Sequence, residues 1–279
     1  MNRLTQASND GIDTDSFWKN GYLLIRGVFT PTEIAKLRGY ALQSASHKGD
    51  LLSNPSLRGV IVDPRILRIA HAILGETPVY FGDSTCLIGD KSHGYHKDNA
   101  DRDDINAPDW QSKYTLLRFG LYLQDHSTHS GGLNIRVKSH NVANTSEGRN
   151  IYLRTKPGDL AVWNLRTSHS GSARLFRFVR NLQLEPDQAD RLPRFLFERA
   201  QAERAALFWS YGLNDHHLRR FITYLKTRTY AVTAWKNSQY GPDVWESVKG
   251  RDLSLRDLPS EIQNEADLGK NQNHVAIPY

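Results

Sequence analysis

The sequence predicts a mainly β protein, with a barrel or sandwich core flanked by helices. Three observations carry that expectation. Residues 79–211 hold short apolar or alternating runs separated by Gly, Asp, Asn, Ser and Pro, the texture of strands joined by turns. The segments on either side instead carry apolar residues at helical spacing. A chain of 279 residues, 39% hydrophobic and 10% aromatic, can bury one sizeable core.

Taken in order, residues 22–28 (Tyr-Leu-Leu-Ile-Arg-Gly-Val) form the first strand-like run. A helix start follows: Thr30 or Thr32 can cap it, Pro31 suits its first turn, and Glu33 lies near its positive end. Ile34, Leu37, Tyr40 and Ala41 then trace one helical face as far as about residue 46. A second helix is expected over 61–74, ended by Gly75, so that residues 17–78 form an N-terminal helical layer of the same domain. Core strands are expected at 79–81, 85–88, 116–123, 132–137, 160–163 and 205–211. Pro157-Gly158-Asp159 is a turn with a mechanism, since Pro fixes φ while Gly and Asp tolerate turn geometry. Residues 191–204 read as a helix within an insertion spanning about 174–203. Residues 215–236 read as one further helix, with Leu218, Ile222, Leu225 and Tyr230 toward the core. A short helix near Trp245 and a polar tail complete the C-terminal region, 212–279, and no internal repeat interrupts the single domain, 1–279.

Composition narrows the function classes. A single cysteine, Cys86, excludes internal disulfides and cysteine-rich zinc sites, and its apolar neighbours mark it as a small buried hydrophobe. No run approaches the roughly 20 apolar residues that a membrane helix needs. The polar N-terminus, with Asp10, Asp13 and Asp15, lacks the features of a signal peptide, so a cytoplasmic protein is expected. Residues 174–228 hold eleven Lys and Arg against six Asp and Glu, nearly all of the net charge of +6. A solvated basic face accounts for this; read functionally, it would attract an anionic small molecule ahead of nucleic acid or a membrane surface.

The chemistry centres on Gly94-Tyr95-His96-Lys97-Asp98. A His and an Asp two apart on an extended segment point to the same side, so one imidazole and one carboxylate can converge. The strand after Gly158 leads on to His169, a third ligand candidate across a small barrel. Two His and one carboxylate leave three coordination positions open, the arrangement of iron(II) oxygenases, although a catalytic zinc site could use the same ligands. His93, His126, His129 and His140 sit in polar, loop-like runs and read as solvated; Trp163 and Trp209 read as barrel packing. Asp101, Asp103 and Asp104 lack the spacing of a calcium loop.

The order of these signatures resembles the phytanoyl-CoA dioxygenase branch of the 2-oxoglutarate oxygenases. The likeness runs from the opening strand at Gly21-Tyr22 through the Thr30–Ile34 helix start to His96-x-Asp98. It continues through Leu123-Gln124-Asp125, Ser130-Gly131-Gly132-Leu133-Asn134-Ile135 and Lys138-Ser139-His140, and closes with Pro157-Gly158-Asp159 leading to His169. It covers roughly residues 17–211. The resemblance implies a double-stranded β-helix, the cupin-like jelly roll, over 79–211. It also implies iron(II) on His96, Asp98 and His169, with 2-oxoglutarate as co-substrate and dioxygen as oxidant. A basic residue should hold the distal carboxylate: Arg180 has the usual spacing after the distal His, whereas Arg204 opens the clearest strand. Hydroxylation of an unactivated carbon with release of succinate is the default reaction; desaturation, ring closure or epimerisation could follow from the same radical chemistry. Retention of Asp98 argues against a halogenase. Two other classes stay open, a metal-dependent cupin-like hydrolase or isomerase and a non-catalytic β-sandwich that binds glycan or nucleic acid. Substrate identity and oligomeric state are not written in the sequence.

Overall fold

The computed structural model describes residues 11–89, 94–179, 182 and 184–278. Helix α1 (Thr14–Asn20), which the sequence reading missed, leads into β1 (Tyr22–Ile25), α2 (Pro31–Gln43) and α3 (Pro64–Leu74). The Thr30 hydroxyl accepts from the Glu33 N–H while the Glu33 carboxylate accepts from the Thr30 N–H, so α2 starts on the expected cap with Pro31 in its first turn. Helix α3 begins at Pro64, three residues later than expected, because Asp63 caps it and residues 58–60 form a separate 3₁₀ turn.

The strands are β2 (Val79–Ile88), β3 (Leu117–Tyr122), β4 (Gly132–Val137), β5 (Arg149–Leu153), β6 (Leu160–Asn164) and β7 (His169–Ala173). After α4 (Pro186–Arg191) come β8 (Ala205–Gly212), α5 (His216–Thr227), α6 (Thr229–Lys236) and α7 (Pro242–Val248). A two-residue strand, β9 (Ser254–Leu255), and α8 (Leu258–Glu261) close the described chain. Six strands make one sheet in the order β1-β6-β3-β8-β2-β9, and β5-β4-β7 make a second. The chain passes back and forth between them, with β3, β6 and β8 in the large sheet and the β4–β5 hairpin and β7 in the small one.

Period-two alternation divides the large sheet into two faces. Leu117, Phe119 and Leu121 of β3, Leu160 and Val162 of β6, and Leu207, Trp209 and Tyr211 of β8 join the core with α2 and α3. Tyr122, Ala161, Trp163 and Ala206 face the small sheet, against Leu133, Ile135 and Leu153. Trp163 and Trp209 are therefore both packing residues, on opposite faces. A third cluster seats α5 and α6 through Leu218, Phe221, Leu225 and Trp235.

The two runs expected at 79–81 and 85–88 are one strand, interrupted by a register shift between Tyr80 and Ser84. Gly82 sits in that irregularity at φ +72°, and a Cβ there would lie 2.8 Å from the Trp235 indole nitrogen. At the predicted 157–159 turn, a Cβ on Gly158 would lie 2.1 Å from the Phe29 carbonyl oxygen, so glycine is required.

Three expectations need correction. Residues 191–204 are not a helix: α4 ends at Arg191, before Leu192-Pro193, since the residue before proline is pushed out of the helical region. Beyond a 3₁₀ turn at 194–196, Phe197 is extended and bridges Phe176. Residues 215–236 form two helices, because Arg228 is extended (φ −91°, ψ 122°) and bridges Asn271 in a short parallel pairing. That break resets the helical face, leaving Tyr230 53% exposed instead of in the core. No helix among the described residues is long and apolar enough to cross a membrane.

Candidate metal centre

His96 and His169 are facing partners in an antiparallel bridge, each N–H donating to the other's carbonyl at 3.1 and 3.0 Å. Two residues on, the Asp98 N–H donates to the Leu165 carbonyl at 2.9 Å. The segment 96–98 is thus extended against the turn that joins β6 to β7, and its period-two geometry delivers both side chains to one side. Ligand atoms of His96, Asp98 and His169 all lie within 4.8 Å of one another. His96 Nε2 is 3.7 Å from one Asp98 oxygen and His169 Nε2 is 3.6 Å from the other. The expectation that a single strand ends in His169 needs one change: β6 stops at Asn164, and His169 opens β7.

Hydrogen bonding defines how the imidazoles are presented. Nδ1 of His96 faces the Gly94 carbonyl at 2.9 Å, and Nδ1 of His169 faces the Thr167 carbonyl at 3.0 Å. A carbonyl only accepts, so each Nδ1 carries the proton and each Nε2 keeps its lone pair for the shared centre. Burial pushes the His169 pKa down to about 4, helped by the neighbouring His96 and Arg118 and opposed by Asp98. His169 is therefore neutral at physiological pH, the form a metal requires. Burial alone would raise the Asp98 pKa, but His169, Arg118 and His96 outweigh it and hold the carboxyl well below the usual range. Two nitrogens and a carboxylate oxygen, without thiolate, are donors that suit iron(II).

Sequence reasoning missed two supports. Arg118, in the middle of β3, reaches Asp98 through Nε at 3.4 Å and Asp83 through Nη1 at 2.9 Å. Lys97, between the two ligands, points the opposite way and is fully buried. Its Nζ donates to the carbonyls of Ser139 and Arg166 at 2.7 and 2.8 Å and lies over the Trp110 ring, and burial, with Arg166 nearby, pushes its pKa down to about 7. The available signal for Arg118 was a lone charge inside an apolar strand.

Arg204 precedes β8 and is 5% exposed. Its Nε donates to the Gly131 carbonyl at 2.9 Å, and its Nη2 abuts Gly171, two residues past His169. Nη1 is buried without a hydrogen-bond partner. The guanidinium borders a cavity of about 470 Å³ that Ser130, Arg174, Arg194 and Phe197 also line. Arg180, the other candidate, lies outside the described residues, as does His93. His126 and His140 are not solvated as expected but buried, and neither joins the centre. His126 donates from Nδ1 to the Ser130 carbonyl and accepts from the Gln124 amide, while His140 contacts the Trp18 carbonyl. Cys86 is half-buried, and burial pushes its thiol up to about 11, as expected of an inert cysteine.

The sequence matches no family model and no curated protein. Solved structures do match. The non-heme alpha-ketoglutarate-dependent carbocyclase SnoK of nogalamycin biosynthesis is similar at 17% identity and TM-score 0.52, over 77% of this chain and 93% of that one. The alpha-ketoglutarate-dependent epimerase SnoN of the same biosynthesis gives 15% and 0.52, over 71% and 79%. Iron-bound HygX from Streptomyces hygroscopicus gives 15% and 0.51, over 73% and 88%. At these identities the likeness is one of fold: mainly β, two sheets, flanking helices.

Proposed function

We propose that the protein is an iron(II)- and 2-oxoglutarate-dependent oxygenase, with His96, Asp98 and His169 as metal ligands and Arg204 as the partner of the co-substrate's distal carboxylate. The observation that carries this reading is the convergence of one carboxylate with two imidazoles, both presenting Nε2. The strand order, in which β3, β6 and β8 of the large sheet are interleaved along the chain with the β4–β5 hairpin and β7 of the small one, supports a double-stranded β-helix. The iron and 2-oxoglutarate chemistry of the similar structures suits these donors. The order of sequence signatures favours the phytanoyl-CoA dioxygenase branch.

When bound, iron(II) and 2-oxoglutarate supply an oxidant derived from dioxygen that can remove hydrogen from an unactivated carbon, with release of succinate and CO₂. The chain's own residues do the rest. The Gly94 and Thr167 carbonyls orient the imidazoles, and the Trp163 ring packs 5.2 Å from that of His169. Arg118 holds Asp98 ionised from the side of β3. Arg204, beside the paired Tyr122 and Phe208 rings, offers its unpartnered Nη1 to a carboxylate. Hydroxylation is the default outcome on a small-molecule substrate.

Anaerobic titration with iron(II) and then 2-oxoglutarate tests the assignment. The wild-type protein is expected to develop the weak visible charge-transfer band of the chelate. H169A should lose it, and R204M should weaken 2-oxoglutarate about 10- to 100-fold while metal binding persists. A protein that binds the metal but never the keto acid, and releases no succinate with any substrate, would be a cupin-like hydrolase or isomerase instead.

A further inference from the structure

The strongest unexplained feature is a group of cations and tyrosines within electrostatic reach of Asp98. Arg102, four residues past Asp98, donates through Nη2 to the Tyr224 hydroxyl at 2.8 Å, and its guanidinium stands 5.7 Å from that ring's centre. Arg228, in the break between α5 and α6, lies over both Tyr224 and Tyr230, at 5.6 and 5.5 Å. The C-terminal segment closes the group, with the His274 ring 5.6 Å from that of Tyr224. Helix α6 is seated beside the centre, because Trp235 donates to the Gly82 carbonyl, next to the Asp83 that binds Arg118. The Tyr230 ring is exposed, while its hydroxyl end is within electrostatic reach of Asp83, Arg118 and Asp98.

Asp98, the carboxylate within electrostatic reach of Arg102, is already paired with Arg118. Among the described residues neither Arg102 nor Arg228 has a carboxylate partner. Some cations of the basic 174–228 segment do, Arg174 with Asp190, Arg177 with Glu198, Arg220 with Asp101 and Lys226 with Glu265, whereas Arg194, Arg199, Arg204 and Arg219 have none among the described residues. Arg228 is 8% exposed, and its Nη2 latches to the Gln272 carbonyl at 2.7 Å. That latch accounts for one group only, since Nε and Nη1 are buried with no hydrogen-bond partner. His274 adds no charge: burial, with Arg102 beside it, pushes its pKa down to about 4. Asp103 is 4.0 Å from His274 and highly exposed. Arg102 is half-buried, with Nε also donating to the Asn99 carbonyl at 3.4 Å, and access to Arg228 would require the exposed Tyr230 side chain to shift.

We propose that Arg102, Arg228, Tyr224 and Tyr230 form a receptor for an oxyanion of the substrate to be oxidised, a carboxylate or a phosphate ester. Two guanidinium forks and two phenol hydroxyls are the donor set such a group needs, and the aromatic faces lower the local polarity around it. Calling the bound molecule the substrate rests on the oxygenase assignment. The receptor is separate from Arg204, so the two anions, co-substrate and substrate, have separate seats.

The test uses benzoate and inorganic phosphate as probes, titrated calorimetrically at constant ionic strength into protein already carrying zinc(II) and 2-oxoglutarate. The wild-type protein is expected to take one probe per chain; tighter benzoate assigns a carboxylate, and tighter phosphate a phosphate ester. R102M and R228M should each weaken the probe tenfold or more and leave 2-oxoglutarate affinity unchanged. R228M also loses the latch to residue 272, so R102M is the deciding variant if R228M fails to fold. Absence of probe binding in the wild type, or unaltered binding in R102M, overturns the receptor. A wild-type protein that refuses zinc or 2-oxoglutarate overturns the oxygenase assignment instead, and the same titration into metal-free protein still decides the receptor.

Discussion

Three consecutive residues, His96, Lys97 and Asp98, divide the work of the centre between the two sides of an extended chain. His96 and Asp98 face the metal position, and Lys97 is driven into the protein, where two carbonyls and an aromatic face satisfy its Nζ. Because Ser139 follows β4 and Arg166 lies in the turn before β7, this Nζ ties the ligand segment to both strands that frame His169. K97M keeps the volume and removes the tie. We expect metal affinity to fall up to about tenfold with the fold retained, through loosening of the segment that carries His96 and Asp98 and not through a lost bond to either side chain; unchanged affinity by calorimetry would remove Lys97 from the design. Arg118 carries a different kind of weight. R118M would leave the buried Asp83 and Asp98 carboxylates without their shared cation, at a cost of about 3–5 kcal/mol in urea denaturation. R118M/D83N should recover part of that loss, since one of the stranded charges is then gone; a double variant no more stable than R118M would show that Asp83 is satisfied by Ser210 alone. The convergence of His96, Asp98 and His169 was legible in the sequence because residue type and spacing pointed to it. Lys97 and Arg118 were not, because their roles depend on neighbours far away in the chain.

At the scale of elements, legibility followed the source of each element's stability. Helix α2 is locally encoded, and its capping box was read directly from Thr30 and Glu33. T30A should therefore cost about 1 kcal/mol of stability and leave metal binding unaltered, because the cap is exposed and distant from the site; a neutral T30A would mean that packing alone sets the start of α2. Strand β7 is the opposite case. His-Ser-Gly-Ser-Ala has no apolar alternation, and only its pairing with β4 makes it a strand. Strand β5 begins Arg-Asn after Gly148 and was obscured in the same way. The α5–α6 break was invisible for a third reason: Arg228 leaves the helix to pair with Asn271, some forty residues further on. That non-local contact also creates the cationic group proposed to receive the substrate's anion. Where local pattern and tertiary pairing disagreed, the residues concerned lie at or near the functional region, as expected when function overrides local preference.

Across the whole molecule, two buried histidines outside the metal centre make stability depend on pH. Burial pushes both His126 and His140 down to about 4, whereas the unfolded chain titrates near 6.5. Between those values the unfolded state binds more protons than the folded one, so stability rises with pH. The contribution is complete above about pH 6.5 and is lost as pH falls toward 4. Each histidine should remove about 1–2 kcal/mol between pH 7 and pH 5. His126 lies behind Arg204, and His140 packs beneath α1, so the two act from opposite ends of the core. Any bound metal would add its own pH dependence, and the measurement therefore belongs on metal-free protein in chelator. There, urea midpoints should fall from pH 7 to pH 5 in the wild type and fall less in H126Q and in H140Q, with a nearly additive effect in the double variant. Equal midpoints at the two pH values would mean that these imidazoles reach protons without unfolding, and that the core around them is open to water.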